Sequence, residues 1–371
     1  MRRGWCGQGA ARQRRVGPGL GPVFIHSGAL HNTRLEPTAL SRRPAGVVEP
    51  AAEVLSGGSL PGPRGGSAAS RWASIRQWIG VMQAGQDIWS QWLLNRRFGG
   101  NPQRLQKVLD YLCPVRDKVL SNANLAEGET LLDVGCGDGL IAFGALEKVK
   151  TSKVIFSDIS QELLNHVQAI AQEMGVLDRA RFLLASADNL SMLDDASVDV
   201  VTTRSVLIYV AAKQRAFNEF YRILKPHGRL SIFEPINRFG FPEPPHMFFG
   251  YDVTSVMNIA QKVKAIYRGL QPPDTDPMLN FDERDLIAYA EHAGFKEIHL
   301  ELQAEIKASE EGDWNTFLRT AGNPKIPTLE EAMQQALTPE EVEEFISHLR
   351  PLVETKQGTY RSAVAYLWAV K

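Results

Sequence analysis

From Gln83 onward the apolar residues keep two rhythms, a helical spacing of three and four and short unbroken runs, and the two alternate along the chain. The helical rhythm puts Ile88, Trp89, Trp92, Leu93 and Leu94 on one face of a helix over 87–97. A second helix over 102–119 carries Leu105, Val108, Leu109, Leu112 and Val115. Apolar runs at 130–136, 153–159, 180–187, 198–206 and 228–234 then predict strands, with helices between them at 140–149, 161–174 and 213–224. Strands this apolar, separated by helices, predict an α/β fold with a mostly parallel sheet and helices on both faces. Such a sheet takes its ligand beyond the C-terminal ends of its strands.

After Pro235 the pattern breaks. Residues 237–280 are dense in proline, glycine and aromatics, with one helical stretch at 253–268. Regular spacing resumes with a helix at 283–293, a strand at 296–306, a polar helical region at 313–353 and a final strand at 362–370. The segments 236–281 and 307–358 therefore read as insertions, both placed to form a lid over the C-terminal edge of the sheet.

The first strand runs into Leu131-Leu132-Asp133-Val134-Gly135-Cys136-Gly137-Asp138-Gly139. Alternate glycines there allow a tight strand-to-helix turn and a ligand lying against bare backbone, with the next helix presenting its amide-rich N-terminus. A nucleotide-like cofactor is the chemistry that suits this turn. A dinucleotide fingerprint, G-x-G-x-x-G, would need its third glycine where Leu140 stands, so an NAD-type oxidoreductase is disfavoured. About twenty residues on, Asp158 closes the second strand, where an acid can accept both hydroxyls of a ribose.

The turn resembles motif I of the class I S-adenosylmethionine (SAM) methyltransferases, with Asp133 as the leading acid. Further motifs follow in the family's order. Ala187-Asp188-Asn189-Leu190 matches the position whose acid reaches the adenine amino group, and a turn-forming Asp-Asn pair is the plainer reading of the same residues. Val198-Asp199-Val200-Val201-Thr202-Thr203-Arg204-Ser205-Val206-Leu207 resembles motif IV of the small-molecule branch. Arg222-Ile223-Leu224-Lys225-Pro226-His227-Gly228-Arg229-Leu230 resembles its "RvLKPGGrl" hallmark, with His227 where the family has glycine. The similarity to the ubiquinone/menaquinone-type methyltransferase group (type 11-like) covers residues 128–235 well. It implies a Rossmann-like seven-stranded sheet whose last strand is antiparallel, SAM as cofactor, and cofactor contacts from Asp133, Gly135, Gly137, Gly139, Asp158, Ile159, Asp188, Asn189 and Arg204.

No fixed catalytic residue comes with the resemblance, because methyl transfer relies on alignment and exclusion of water and needs a base only for a protonated acceptor. Glu234, Tyr209 and His246 are the candidates, with Glu234, at the end of an apolar strand, foremost. Asn237, Arg238, Tyr251 and Asp252 also fall after the fifth strand or on the lid. Arg96 and Arg97 suit an acidic acceptor or the SAM carboxylate, and equally the C-terminus of their own helix. Phe239, Phe241, Phe248, Phe249 and Tyr251 either line an acceptor pocket or form plain lid core.

Composition limits the partners. The chain is 44% hydrophobic and 22% charged, globular proportions, but residues 1–80 hold eleven arginines, no lysine and three acids, a charge of +8 that leaves −9 for the rest. That Gly-, Pro- and Ser-rich stretch reads as a disordered or non-native leader, 1–81, before a start at Met82; a mitochondrial transit peptide or a nucleic-acid arm are its other readings. Residues 82–127 then supply N-terminal helices, and 128–371 the enzyme domain. An acidic body repels phosphate backbones, and Thr202-Thr203-Arg204-Ser205 is not the Asn/Asp-Pro-Pro-aromatic box used on exocyclic amines of nucleic-acid bases. Cys6, Cys113 and Cys136 are too few and scattered for a disulfide framework, a metal site or arsenite capture, and suit a cytoplasmic setting. No apolar run reaches membrane-span length. A small organic molecule, methylated on oxygen, carbon or nitrogen, remains as acceptor. A catalytically silent methyltransferase fold kept for binding is the non-enzyme alternative.

Overall fold

The computed structural model describes residues 87–94, Arg97 and 102–371. The leader expected at 1–81, the start at Met82 and the expectation for Arg96 lie outside the described residues.

Strands β1 (Thr130–Val134), β2 (Lys153–Asp158), β3 (Ala180–Leu184), β4 (Val198–Arg204) and β5 (Leu224–Pro235) run parallel. β6 (Met247–Phe248) and β7 (Tyr251–Asp252) pair only with each other, whereas β8 (Glu297–Ala308) and β9 (Thr359–Val370) complete the main sheet. Its order is β3-β2-β1-β4-β5-β9-β8, with β9 antiparallel to both neighbours. This is the seven-stranded arrangement that the sequence reading expects, the last strand inserted beside the fifth.

Ten helices are described: α1 (Ile88–Leu94), α2 (Pro102–Ala123), α3 (Leu140–Lys148), α4 (Gln161–Glu173), α5 (Lys213–Ile223), α6 (Met257–Leu270), α7 (Glu283–Ala293), α8 (Trp314–Arg319), α9 (Leu329–Ala336) and α10 (Pro339–Glu354). Successive strand side chains point to opposite faces, so each strand feeds two cores. Leu131, Val200, Phe233 and Tyr366 join Val119, Phe143 and Val167 of α2, α3 and α4 on one face. Leu132, Val201, Ile232 and Leu367 meet Phe217 and Phe220 of α5 and Leu286 of α7 on the other. Burying this much apolar surface on both faces, at roughly 25 cal/mol per Å2, is what holds the layers together.

A third core belongs to the insertions alone. Phe248, Ile259 and Val263 from the first pack with Trp314, Met333 and Phe345 from the second, so two segments far apart in sequence form one helical body. The region expected as polar and helical at 313–353 consists of three helices. Thr328 and Thr338 each accept an amide three residues on, and Glu331 and Glu341 reach back to the amides of those threonines, so two capping boxes start α9 and α10.

β5 starts at Leu224, earlier than its apolar run, because Leu224 already pairs with Val198 and a register shift between Val198 and Val200 absorbs the turn. That turn explains the glycine of the family pattern. His227 sits at φ 64°, in the left-handed region that costs a side chain about 1–2 kcal/mol. After the entropy cost of glycine, His227→Gly is expected to stabilise the chain by about 0.5–1 kcal/mol. Urea unfolding measures this, and an unchanged or lowered stability would contradict it.

Candidate functional site

The turn after β1 passes through Gly135, Gly137 and Gly139, at φ 64°, 54° and 80°. At Gly135 the backbone must also be bare, since a Cβ there would lie 2.3 Å from the Val206 Cγ2 atom. At Gly137 a Cβ would meet only Leu93 of α1, at 3.4 Å, so this glycine opens the backbone to a cavity. Its amide donates to Asp158 Oδ2 at 2.9 Å, and the Ser160 amide donates to Asp158 Oδ1 at 2.9 Å. Each carboxylate oxygen keeps a lone pair for a ligand. Burial raises the Asp158 pKa, while those two amides oppose the shift.

Asp133 serves the turn differently. Gly139 begins α3 without a side-chain cap, and buried Asp133 supplies it: Oδ2 accepts the Ala142 amide at 3.1 Å, and Oδ1 accepts the Thr202 hydroxyl at 2.9 Å. Burial pushes this carboxyl up to about 7. Asp133 and Gly139, expected as cofactor contacts, stand behind the cavity wall. Neither lines the cavity; one carboxylate joins β1, β4 and α3, and Gly139 packs against the Phe143 ring.

The cavity has a volume of about 530 Å3. Gly135, Gly137, Asp158 and Ile159 line its β1–β2 side, Ala185 to Asp188 follow β3, and Arg204 to Val206 with Ile208 to Ala211 follow β4. Asp188 takes part, accepting the Ser186 hydroxyl. Asn189 does not, because it bridges back to Ser186.

Sequence reasoning missed the side of the cavity that α1 provides. Asp87 Oδ1 caps this helix, accepting the amides of Trp89 and Ser90, and its Oδ2 accepts the Ser160 hydroxyl at 2.6 Å. Trp89 then lies edge-on to Tyr209, ring centroids 4.8 Å apart, and Trp92 Nε1 donates to the Ala321 carbonyl at 2.9 Å. Trp89, Trp92, Arg97, Ala321 and Gly322 all line the cavity. The available signal was an amphipathic face with two tryptophans, more aromatic surface than a short helix needs for packing.

The three catalytic candidates separate. Tyr209 lines the cavity, and burial holds its phenol well above the usual range. His246 is exposed and lines neither this cavity nor the neighbouring one, so it is not brought to the site. Glu234 is fully buried and outside the lining. Its Oε1 accepts the amides of Val206 and Leu207, both at 2.9 Å, and its Oε2 the amide of Ile208 at 3.2 Å. It fixes the loop after β4 and touches no ligand space.

Of the remaining expectations, Asn237 lines the cavity and donates to the Met278 carbonyl at 3.2 Å. Arg238 and Asp252 are exposed, and Tyr251 is buried in the lid core. Phe241, Phe248 and Phe249 line a second cavity, whereas Phe239 is exposed and lines neither. Cys136 is a buried filler whose thiol burial pushes up in pKa. Among the described residues there is no cluster that could hold a metal ion, and no helix is long and apolar enough to cross a membrane.

Residues 132–232 match the methyltransferase domain family, a span from β1 to β5 that contains the glycine turn, Asp158 and Glu219 to Leu230. This part of the chain is similar to methyltransferase domains. An arsenite methyltransferase of Halobacterium salinarum is 32% identical over 126 residues, 34% of this chain and 32% of that protein. A ubiquinone/menaquinone biosynthesis C-methyltransferase of Rickettsia typhi is 25% identical over 220 residues, 56% of this chain and 87% of that protein. Its Escherichia coli O1:K1 counterpart is 32% identical over 114 residues, 30% of this chain and 45% of that protein. Apart from the Rickettsia alignment, the chain spans less than half the length of these relatives. The matched span thus supplies the cavity walls that follow β1 to β4, while α1 and the insertions lie outside it.

Glu234 yields a test that separates support from catalysis. Glu234→Gln puts an amide donor against the Ile208 amide, and is expected to cost about 1–3 kcal/mol of stability. Burial raises the Glu234 carboxyl from 4.5 to about 7, so its contribution is complete below the lower value and is lost as pH rises through about 7. Melting temperatures across that window should fall with rising pH in the parent and show a flatter slope in Glu234→Gln. Equal stability and equal slopes would contradict the assignment.

Proposed function

We propose that this chain transfers a methyl group from SAM to a small organic molecule by in-line displacement in the 530 Å3 cavity. The observation that carries the reading is the pairing of the side-chain-free Gly137 with Asp158. A bare, left-handed backbone and a carboxylate with spare lone pairs lie side by side on one cavity wall. That is the acceptor a ribose needs, with both hydroxyls donating to one acid. Asp188 stands on the adjoining wall for an amino group of the base, and Arg97 and Arg204 bring positive charge for a carboxylate.

SAM supplies a methyl group already activated on a sulfonium. The residues therefore have to bind, orient and keep water out. Trp89, Trp92 and Tyr209 place aromatic surface around the cavity, and Tyr209 keeps its proton as a donor. Among the described lining residues the only acids are Asp158 and Asp188, both beyond the donor-side strands β2 and β3. Positioning without a general base is the mechanism this lining supports. The spacing of the glycines speaks against a dinucleotide, and a silent binding module would bind the donor but turn nothing over.

Titration calorimetry with S-adenosylhomocysteine tests the reading on the full chain. Saturable binding is expected, weakened about 10- to 100-fold by Asp158→Ala, as loss of charge-assisted hydrogen bonds requires. Absence of binding, or an affinity unmoved by Asp158→Ala, would overturn it.

A further inference from the structure

Beside the donor cavity lies a second one of about 270 Å3, and Asn237, Met278 and Gly322 line both. It sits between the two insertions, walled by Phe241, Phe248, Phe249, Tyr267, Leu279 and Ile326.

The charged groups on its lining are occupied elsewhere. Glu243 accepts the amides of Phe249 and Gly250 at 2.8 and 2.7 Å. The Lys264 ammonium donates to the carbonyls of Pro244 and Pro245 at 3.2 and 3.0 Å. Arg268 is exposed in the last turn of α6, where its charge complements the helix dipole. Gln271 is committed as well, donating to Asp276 and the Met278 sulfur and accepting from Asn323. What remains, besides the Tyr267 hydroxyl and the exposed Arg268, is mostly ring and aliphatic carbon, a surface that rewards apolar burial.

The border that the two cavities share is different. Asn237 anchors its amide nitrogen on the Met278 carbonyl, which leaves its amide oxygen as an acceptor there. A molecule reaching across this border would meet one polar group near the donor cavity and mostly apolar walls beyond it.

We propose that the second cavity holds the body of the methyl acceptor, and that the acceptor is an elongated, uncharged, apolar molecule, aromatic or aliphatic, with a single polar end. That end passes Asn237 into the donor cavity. The proposal rests on the methyl-transfer reading for its orientation, and on the lid cavity alone for its chemistry. It assigns specificity to Leu279 and Ile326, residues outside the 132–232 span that matches the family model.

N-phenyl-1-naphthylamine, a neutral apolar fluorophore, probes the cavity in the full chain with S-adenosylhomocysteine titrated separately. Saturable fluorescence binding is expected, weakened about tenfold or more by Ile326→Trp and by Leu279→Trp, because each indole fills the space. Both variants should keep the parent affinity for S-adenosylhomocysteine, which also shows that they fold. Absence of saturable probe binding, or probe binding that neither variant weakens, overturns the proposal. Loss of S-adenosylhomocysteine binding in the parent would instead overturn the donor reading, with the probe result still deciding the chemistry of this cavity.

Discussion

The buried carboxylate of Glu234 is the constraint from which the site is built. At the end of β5 it gathers the three amides that follow β4, and so fixes where Val206 places its side chain. Val206 then occupies the space a Cβ on Gly135 would need, which locks the loop after β4 against the turn after β1. An uncompensated buried carboxylate would be costly, and three backbone donors offset that cost while satisfying amides that begin no long helix. Asp133 repeats the device one strand over, joining β1, β4 and the start of α3. Two acids outside the cavity lining therefore hold the geometry of the two that line it.

Closure of the cavity depends on parts of the chain that the sheet does not specify. α1 is tied to the start of α4 through Asp87 and Ser160, and to the second insertion through Trp92 and Ala321. The two insertions share a core of their own, so a shift in one is felt by the other. The lid is thus a packed body docked on the strand ends, with Lys213 helping to hold it: its ammonium donates to the carbonyls of Val210 and Pro277 and to Asn280. Burial pulls that lysine down to about 8, the cost of placing a cation at this junction.

Most of the sheet was legible because parallel strands buried on both faces leave an apolar signature and helices fall between them. The glycine turn and Asp158 were legible because backbone geometry restricts the residue types they accept. The backbone partners of Glu234 and Asp133 were not legible, because an acid at the end of a strand looks the same whether it meets a ligand or a neighbouring loop, and only the partner amides distinguish the two. His246 was favoured by residue type alone. The split of 313–353 into three helices was present in the sequence as Thr328-x-x-Glu331 and Thr338-x-x-Glu341, and polar composition hid it. Docking of α1 was not legible, since an amphipathic face does not say what it covers.

On the proposed reading the donor half of the site and the acceptor half obey different rules: backbone and carboxylates on one side, mostly rings and aliphatic carbon on the other. Gly137 stands where the first half can be removed without touching the second. Incubating the chain with methyl-labelled SAM and an apolar metabolite extract, and resolving the labelled products by mass spectrometry, tests their union directly. The account predicts labelled apolar product from the parent chain and none from Gly137→Arg, whose side chain fills the donor cavity. Label transfer that survives Gly137→Arg, or a parent chain that binds the donor yet labels nothing in the extract, would contradict it.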